Sequence, residues 1–117
     1  MRYVDGFVIP ILKKNLPAYR RMAREGGELW MKHGALEYKE CVAEDLRARW
    51  ALPFPSMLKL KRGETVVFSW IVFKSRAHRD RVNAKVMKEV QGTMTGAKMP
   101  FDPKRMAYGG FTTIVDK

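Results

Sequence analysis

The sequence has little cysteine and little histidine, with one Cys and two His among 117 residues. A lone Cys41 excludes an intramolecular disulfide framework, and it removes the cysteine-based metal sites that need several ligands at close spacing. Two isolated histidines make no metal site either, so we expect neither a metal nor a cofactor. This cysteine usage favours a reducing, cytoplasmic setting.

Long apolar runs and recognisable catalytic motifs are also missing. No stretch approaches the ~20 apolar residues that span a bilayer. The N-terminal run "VDGFVIPIL" is interrupted by Asp5, and no small-residue cleavage pattern follows it, so we interpret it as a strand. No G-x-G-x-x-G, P-loop, nucleophile elbow or H-E-x-x-H motif occurs. The sequence therefore names no reaction and predicts no contact with a membrane.

Positive charge, by contrast, is abundant: 23 Lys and Arg against 12 Asp and Glu give a net charge of +11. A charge of this size attracts polyanions by counterion release, so one hypothesis is a nucleic-acid-associated dimer. Its contacts would be "KLKR" at 59–62 and the Arg-rich segment 75–90. The simpler alternative is a solvated basic surface, since charge indicates a partner only when it is clustered with a readout element.

The hydrophobic pattern predicts a single domain, 1–117, of α+β class. We expect strands at 2–12, 35–44, 64–73 and 105–116, helices at 15–34 and 75–90, and an irregular connection at 45–62 with a short extended piece at 57–61. The order β-α-β-β-α-β is the ferredoxin-like pattern, a four-stranded antiparallel sheet with two helices on one face. Gly26 and Gly27 inside the first helix predict close approach of a neighbouring element.

The strand at 64–73 carries apolar residues on both of its faces. Val67 and Ile71 lie on one side, and Val66, Phe68 and Trp70 lie on the other, so both faces of the sheet carry large apolar groups. Because the two helices cover one face only, the second face predicts an interface. We expect a homodimer in which two sheets close face to face into an α/β barrel, with a ligand cavity between them.

The candidate ligand contacts follow from this expected cavity. Trp70 would form a stacking wall, although the simpler alternative is a core residue. Aromatic and acidic residues on the other strands would line the same cavity, with their parity uncertain by one register step. These residues are Tyr3, Asp5, Tyr38 and Tyr108. Arg105, within "KMPFDPKRMAYGGF" at 98–111, is a further candidate, while the rest of that segment is interpreted as a turn and the fourth strand.

Two arginines at the start of the second helix predict an anion site. Arg76 and Arg79 occupy its first turn, where positive charge opposes the helix dipole. Such a placement is unfavourable unless an anion binds there or Asp80 and another carboxylate offset it. Free backbone N–H groups would help to hold a phosphate or carboxylate. The alternative is again a solvated basic face.

Four motifs in order carry a resemblance to a known family. "YVDGF" at 3–7, "VVFSWI" at 66–71, "SRAHRDRVNAKVM" at 75–87 and "MPFDPKRMAYGGF" at 99–111 together resemble the bacterial DUF1428 family. The resemblance implies the dimeric α/β-barrel fold and a family with no established biochemical activity. The stretch 88–97, "KEVQGTMTGA", departs from the family pattern.

Three functions remain open from the sequence. The first is a homodimer that binds a small organic ligand in its barrel, with turnover of the cofactor-independent oxygenase kind suggested by fold analogy alone. The second is the basic dimer associated with nucleic acid. The third is a non-catalytic structural or regulatory dimer, which predicts an occluded barrel with no pocket.

Overall fold

A computed structural model of the chain describes residues 1–91 and 98–117. Its strands are β1 (Tyr3–Leu12), β2 (Glu37–Val42), β3 (Glu64–Phe73) and β4 (Ala107–Thr112), and its α-helices are α1 (Leu16–Lys32), α2 (Phe54–Leu58) and α3 (Arg76–Val90). Short 3-10 turns occupy Lys13–Asn15 and Pro103–Arg105. Of the segment 88–97, which departs from the family pattern, residues 92–97 lie outside the described residues.

The four strands form one antiparallel sheet in the order β2-β3-β1-β4. β1 and β3 are the longest strands and lie at the centre, while β2 and β4 are the edges. The predicted α+β class and the antiparallel sheet are therefore confirmed. The predicted bounds hold at 64–73, and the second and fourth strands are shorter than expected.

Strand alternation divides the sheet into a covered face and an open face. On the covered face, α1 and α3 pack against every second side chain of β1 and β3. One buried cluster joins α1 to this face, and a second joins α3 to it. The buried residues of the two clusters are Ile9, Ile11, Tyr19, Ala23 and Val67, and Ala35, Ile71, Phe73, Val82 and Val86.

The ends of the long helices follow from local chemistry. Pro17 lies in the first turn of α1, where its missing N–H costs nothing, and Gly34 after the helix adopts φ 113°, a conformation that favours glycine. α3 begins at Ser75, whose side-chain oxygen accepts a hydrogen bond from the backbone N–H of His78. This bond satisfies one of the donors that the first turn leaves without an internal partner.

The connection at 45–62 requires a correction, because it contains the helix α2 where the sequence predicted an irregular or extended chain. Pro53 immediately precedes this helix and Pro55 lies in its first turn, positions that proline favours, and Lys59 ends it in the left-handed region at φ 51°. Phe54 of α2 packs on Phe68 of β3, with ring centroids 6.5 Å apart. The open face is therefore partly covered by α2 at that end, which the sequence did not predict.

Candidate functional site

The open face of the sheet carries an apolar depression that spans β1, β3 and β4. Its floor is backbone, because Gly6 of β1 pairs directly with Gly109 of β4. Its walls are apolar side chains that stand around these glycines, and the depression has a volume of about 610 Å³. The wall residues on this face are Val4, Val8, Phe68, Trp70, Ala107 and Phe111.

The depression exists because two facing positions lack side chains. A Cβ added at Gly109 would lie 3.3 Å from the ring of Phe111, and one added at Gly6 would lie 3.4 Å from the same ring. Phe111 is 61% exposed and Phe68 is 45% exposed, so apolar surface that a folded chain usually buries faces outward here. The arrangement offers van der Waals contact and stacking to an apolar occupant.

Trp70 lies on this open face, as the strand pattern predicted. Its indole Nε1 donates a hydrogen bond to Glu37 Oε1 at 2.9 Å, and its ring contacts that of Phe68 with centroids 5.6 Å apart. The hydrogen bond satisfies the one polar atom of the indole while its ring remains at the wall of the depression. Ligand contact by Trp70 stays a prediction.

The other candidates on the strands lie on the covered face, opposite Trp70. Asp5 pairs with Ile71 in the register, and Phe7 pairs with Tyr108, so Asp5 and Tyr108 point toward the helices. The same parity places Tyr3 and Tyr38 there. The expectation that these residues share one cavity with Trp70 is thereby corrected for Tyr3, Asp5 and Tyr38, because a single register step decides the face. Tyr108 also lines the depression, although its hydroxyl is bonded on the covered face.

Asp5, Tyr108 and Arg79 form a hydrogen-bonded cluster between β1, β4 and α3. Arg79 Nη1 donates to Asp5 Oδ1 at 3.0 Å and to the Tyr108 hydroxyl at 2.6 Å, and that hydroxyl donates to Asp5 Oδ1 at 3.1 Å. The guanidinium also lies 4.9 Å from the ring centroid of Tyr3. Asp5 is 2% exposed, so this carboxylate is a buried charge with its counter-ion in place.

The cluster shifts the pKa of both partners of Asp5. Burial, followed by the charge of Asp5, raises the pKa of Tyr108 above its ordinary value. Burial lowers the pKa of Arg79, but the carboxylate of Asp5 and then the neighbouring tyrosines outweigh it, and the net shift is upward. Tyr108 therefore stays a neutral donor and Arg79 stays a cation through the physiological range.

The two arginines of the predicted anion site have different surroundings. Arg79 is largely buried and pairs with Asp5 and with Asp80, whose Oδ1 lies 2.8 Å from Arg79 Nε. Two carboxylates thus offset the unfavourable positive charge of Arg79 in the first turn of α3. No bound anion is needed to explain its position. Arg76 is exposed. Anion binding at this turn stays a prediction for Arg76.

Arg105 holds the segment before β4 against the start of β3. Its guanidinium binds both carboxylate oxygens of Glu64, with Nη2 3.0 Å from Oε1. This hydrogen bond is the main reason that the pKa of Glu64 lies below its ordinary value. Asn15 adds a second link, because its Nδ2 donates to the backbone oxygen of Pro100 at 3.0 Å. The guanidinium of Arg105 is therefore bound to Glu64 within the chain, and ligand contact by Arg105 stays a prediction.

The sequence analysis did not predict that Tyr19 and Glu40 join Tyr38 in a hydrogen-bonded group beneath α1. Tyr19 of α1 and Tyr38 of β2 each donate a hydrogen bond of 2.6 Å to the carboxylate of Glu40. The alternation of β2 places Tyr38 and Glu40 on one face, and this was the available signal. Nothing local in the sequence indicates that Tyr19, which lies on a helix 21 positions away, would reach the same carboxylate.

Gly27 explains how Tyr38 fits beneath α1. A Cβ at Gly27 would lie 2.9 Å from Tyr38 Cδ1, closer than carbon atoms pack. The ring of Tyr38 therefore occupies the space that a side chain at this position would fill. The expectation of a close approach at the glycine pair of this helix is confirmed at Gly27.

Residues 1–91 and 98–117 contain neither a cluster of metal ligands nor a membrane-spanning helix. No group of three or more His, Cys, Asp and Glu side chains is placed to hold a metal ion. None of the helices in those ranges is long and apolar enough to cross a membrane.

A four-stranded antiparallel sheet with two long helices on one face and an apolar depression on the other defines a small α+β protein with one uncovered sheet face. The chain belongs to the DUF1428 family, a family of unknown function whose sequence profile matches residues 2–103. This membership confirms the resemblance carried by the four motifs.

Individual relatives agree with this membership. The chain is 42% identical to the uncharacterized protein YbaA of Escherichia coli strain K12 over 117 residues, which covers all of both chains. The same identity and coverage hold for the uncharacterized protein YbaA of Shigella flexneri. Among solved structures, the de novo designed protein Foldit4 aligns over 97% of this chain and 99% of its own, at 10% identity and a TM-score of 0.47, a likeness too weak to bear on the fold.

Proposed function

We propose that the protein is a cytoplasmic homodimer of ferredoxin-like subunits that binds a small apolar organic ligand between its two sheets. The single observation that carries the proposal is the apolar depression over Gly6 and Gly109, walled by the exposed rings of Phe68 and Phe111 and by the half-buried Trp70. Stacking a second copy on this face would convert an open depression into an enclosed cavity.

The shape of the chain supports a second copy as the cover. Its extents are 40 × 39 × 20 Å, and its radius of gyration is 15.2 Å. A compact chain of this length has a radius of gyration of about 13 Å, so this one is flattened. The short dimension fits one helix layer on one sheet, because packed layers lie about 10 Å apart. Two such slabs stacked through their open faces would give a body of nearly equal dimensions.

The distribution of charge also permits this stacking despite the net charge of +11. Among strand residues with open-face parity, three are charged: Glu37, Lys39 and Glu64. Lys39 Nζ lies 3.9 Å from Glu37 Oε1, and Glu64 is neutralised by Arg105. Facing copies would therefore meet through apolar side chains, while the excess positive charge lies elsewhere.

The depression supports ligand binding more than turnover. Its lining contains one titratable residue, Tyr108, whose hydroxyl is turned to the covered face and bonded to Asp5 and Arg79. An oxygenase-like reaction without a cofactor would depend on the ligand for its reactivity, and fold analogy remains its one support. Nucleic-acid binding has less support, because Arg79 of the Arg-rich segment 75–90 is already paired with Asp5.

The first experiment measures the mass of the protein in solution by light scattering on a sizing column. We expect a dimer for the wild type at micromolar concentration and a monomer for Phe68→Glu. Met87→Glu is the matched control, because Met87 is 49% exposed on α3 and Phe68 is 45% exposed on the open face. A monomeric wild type, or equal dissociation of the two variants, would overturn the proposed dimer.

The second experiment looks for the ligand. A library of small aromatic and aliphatic metabolites is screened for thermal stabilisation and for a change in tryptophan fluorescence, because Trp70 forms one wall. Gly109→Val fills the floor and should abolish both responses while the dimer mass is kept. Silence across the library with an intact dimer would favour the structural or regulatory dimer and reject the ligand.

A further inference from the structure

A second concave site lies on the other face of the sheet, between α1 and the edge strand β2. It is a groove of about 1250 Å³ that runs along the helix from Leu16 to Met31. Tyr19, Ala23 and Gly27 of α1 line the groove at four-residue spacing, so they lie on one side of the helix. Because Ala23 and Gly27 are small, they leave room for the groove. Because β2 is an edge strand, no further strand closes the groove on its outer side.

The floor of the groove holds a carboxylate bound by two phenols. Tyr19 donates to Glu40 Oε1 and Tyr38 donates to Glu40 Oε2, each at 2.6 Å, the short distance typical of a hydroxyl bound to a charged oxygen. Burial, followed by the hydrogen bond to Glu40, raises the pKa of both Tyr19 and Tyr38 above their ordinary value. Both phenols therefore remain protonated and hold the carboxylate in one orientation.

This carboxylate keeps capacity for a further donor. Each of its oxygens has two lone pairs and receives one phenol, and Glu40 itself is half-buried in the lining of the groove. A ligand in the groove that carries a hydroxyl group can therefore donate to Glu40. The two phenols would then position the acceptor in advance, which lowers the entropic cost of binding.

The rim of the groove holds three cations and one exposed carboxylate, that of Glu28. Arg20, Arg21 and Arg24 all line it and are exposed, and none forms an ion pair or hydrogen bond with another residue in the described ranges. Arg20 and Arg24 are four residues apart and so lie side by side on the helix. Neither arginine pairs with Glu40. A guanidinium pair of this kind suits a ligand carboxylate.

We propose that the groove binds a small organic carboxylate that carries a hydroxyl group on an apolar body. The ligand carboxylate contacts Arg20 and Arg24, and its hydroxyl donates to Glu40. The apolar body packs on the aliphatic side chains that complete the lining, which are Leu16, Ala23, Met31, Val42 and Val67. This site lies within one chain and on the face opposite the proposed dimer interface, so it does not depend on the proposed dimer.

The test uses isothermal titration calorimetry with four small aromatic probes. 4-Hydroxybenzoate and 4-hydroxycinnamate carry both groups at two spacings, benzoate lacks the hydroxyl, and phenol lacks the carboxylate. We expect one of the hydroxy acids to bind roughly tenfold more tightly than benzoate and phenol, the loss that follows removal of a hydrogen bond to a charged group. Equal affinities for all four probes, or binding of none at millimolar concentration, would overturn the proposal.

Variants assign the binding to the groove. Arg20→Ala/Arg24→Ala should weaken the favoured hydroxy acid roughly tenfold, while Arg81→Ala/Lys85→Ala removes the same charge from α3 and should leave its affinity unchanged. Glu40→Gln should reduce the ratio of the affinity for the favoured hydroxy acid to the affinity for benzoate. Tyr38→Phe, which keeps the ring beneath α1, should reduce it less. Equal weakening by the two double variants would indicate unspecific charge attraction and reject the site.

Phe68→Glu separates this proposal from the proposed dimer. It should dissociate the dimer and leave the affinity for the hydroxy acid unchanged, because Phe68 lies on the open face. Loss of hydroxy-acid binding in this variant, with the fold retained, would place the ligand at the open face instead of the groove.

Discussion

The two faces of the sheet differ in the way that they use polar and apolar side chains. The covered face buries polar groups, among them Asp5, Ser69 and Thr65, beneath two helices. The open face exposes the rings of Phe68 and Phe111, with glycines between them. In a chain that acts alone, the reverse distribution would be more favourable, since water solvates polar groups and excludes apolar ones.

The difference shows where each face finds its partners. On the covered face, Asp5 accepts hydrogen bonds from Arg79 and Tyr108, and Glu40 accepts hydrogen bonds from two phenols. On the open face, Phe54 of α2 covers Phe68, while the ring of Phe111 stays 61% exposed. The covered face is therefore sensitive to changes in its internal contacts, and the open face should be sensitive mainly to what binds it.

The largest expected effect is on the covered face, at Asp5. Asp5→Ala leaves the guanidinium of Arg79 largely buried without its main counter-ion, and we expect a loss of about 3–5 kcal/mol in the free energy of unfolding, measured by urea denaturation. Asp80→Ala removes the other carboxylate near Arg79, but Asp80 is 60% exposed, so its loss should be at most about 1 kcal/mol. Similar costs for the two variants would contradict the assignment of Asp5 as the main counter-ion.

A pair of glycine substitutions compares the two faces directly. Gly27→Ala gains about 1 kcal/mol of helix propensity but forces Tyr38 to move, so we expect a net loss of roughly 1–2 kcal/mol in the free energy of unfolding. Gly109→Ala meets only the exposed ring of Phe111, which can turn away, so its effect should stay within about 0.5 kcal/mol. Chemical denaturation measures both, and a Gly27→Ala variant more stable than the wild type would contradict the close packing of Tyr38.

A smaller effect than that at Asp5 is expected at Glu64, and it depends on pH. The hydrogen bond from Arg105 lowers the pKa of Glu64 in the folded state below the ordinary unfolded value of about 4.3. The stabilisation is therefore fully present above that value and is lost as the pH falls through the lowered folded pKa. Thermal melts at several pH values should show Glu64→Gln less stable than the wild type at pH 7. A difference that stays constant down to pH 3 would argue against the ion pair.

The sequence predicted the sheet well because strand alternation is local. β3 was bounded correctly, and Val67 and Ile71 were separated from Phe68 and Trp70 by parity alone. It failed at α2, where it predicted an irregular or extended chain, although Pro53 and Pro55 suit the start of a helix. It could not place Tyr3, Asp5, Tyr38 and Tyr108, because one register step moves a side chain to the other face.

By itself, the sequence determined the order of the four strands and two long helices, the family, the apolar character of both sides of β3 and the charge of the molecule. The family follows from the resemblance of four motifs, and the other three follow from local periodicity or composition. Only the tertiary structure decided that Arg79 meets Asp5 across 74 positions and that Tyr19 and Tyr38 share Glu40. It also set Gly6 opposite Gly109. Contacts of this kind depend on helix docking and strand register, which bring distant residues together and leave no local signal in the chain.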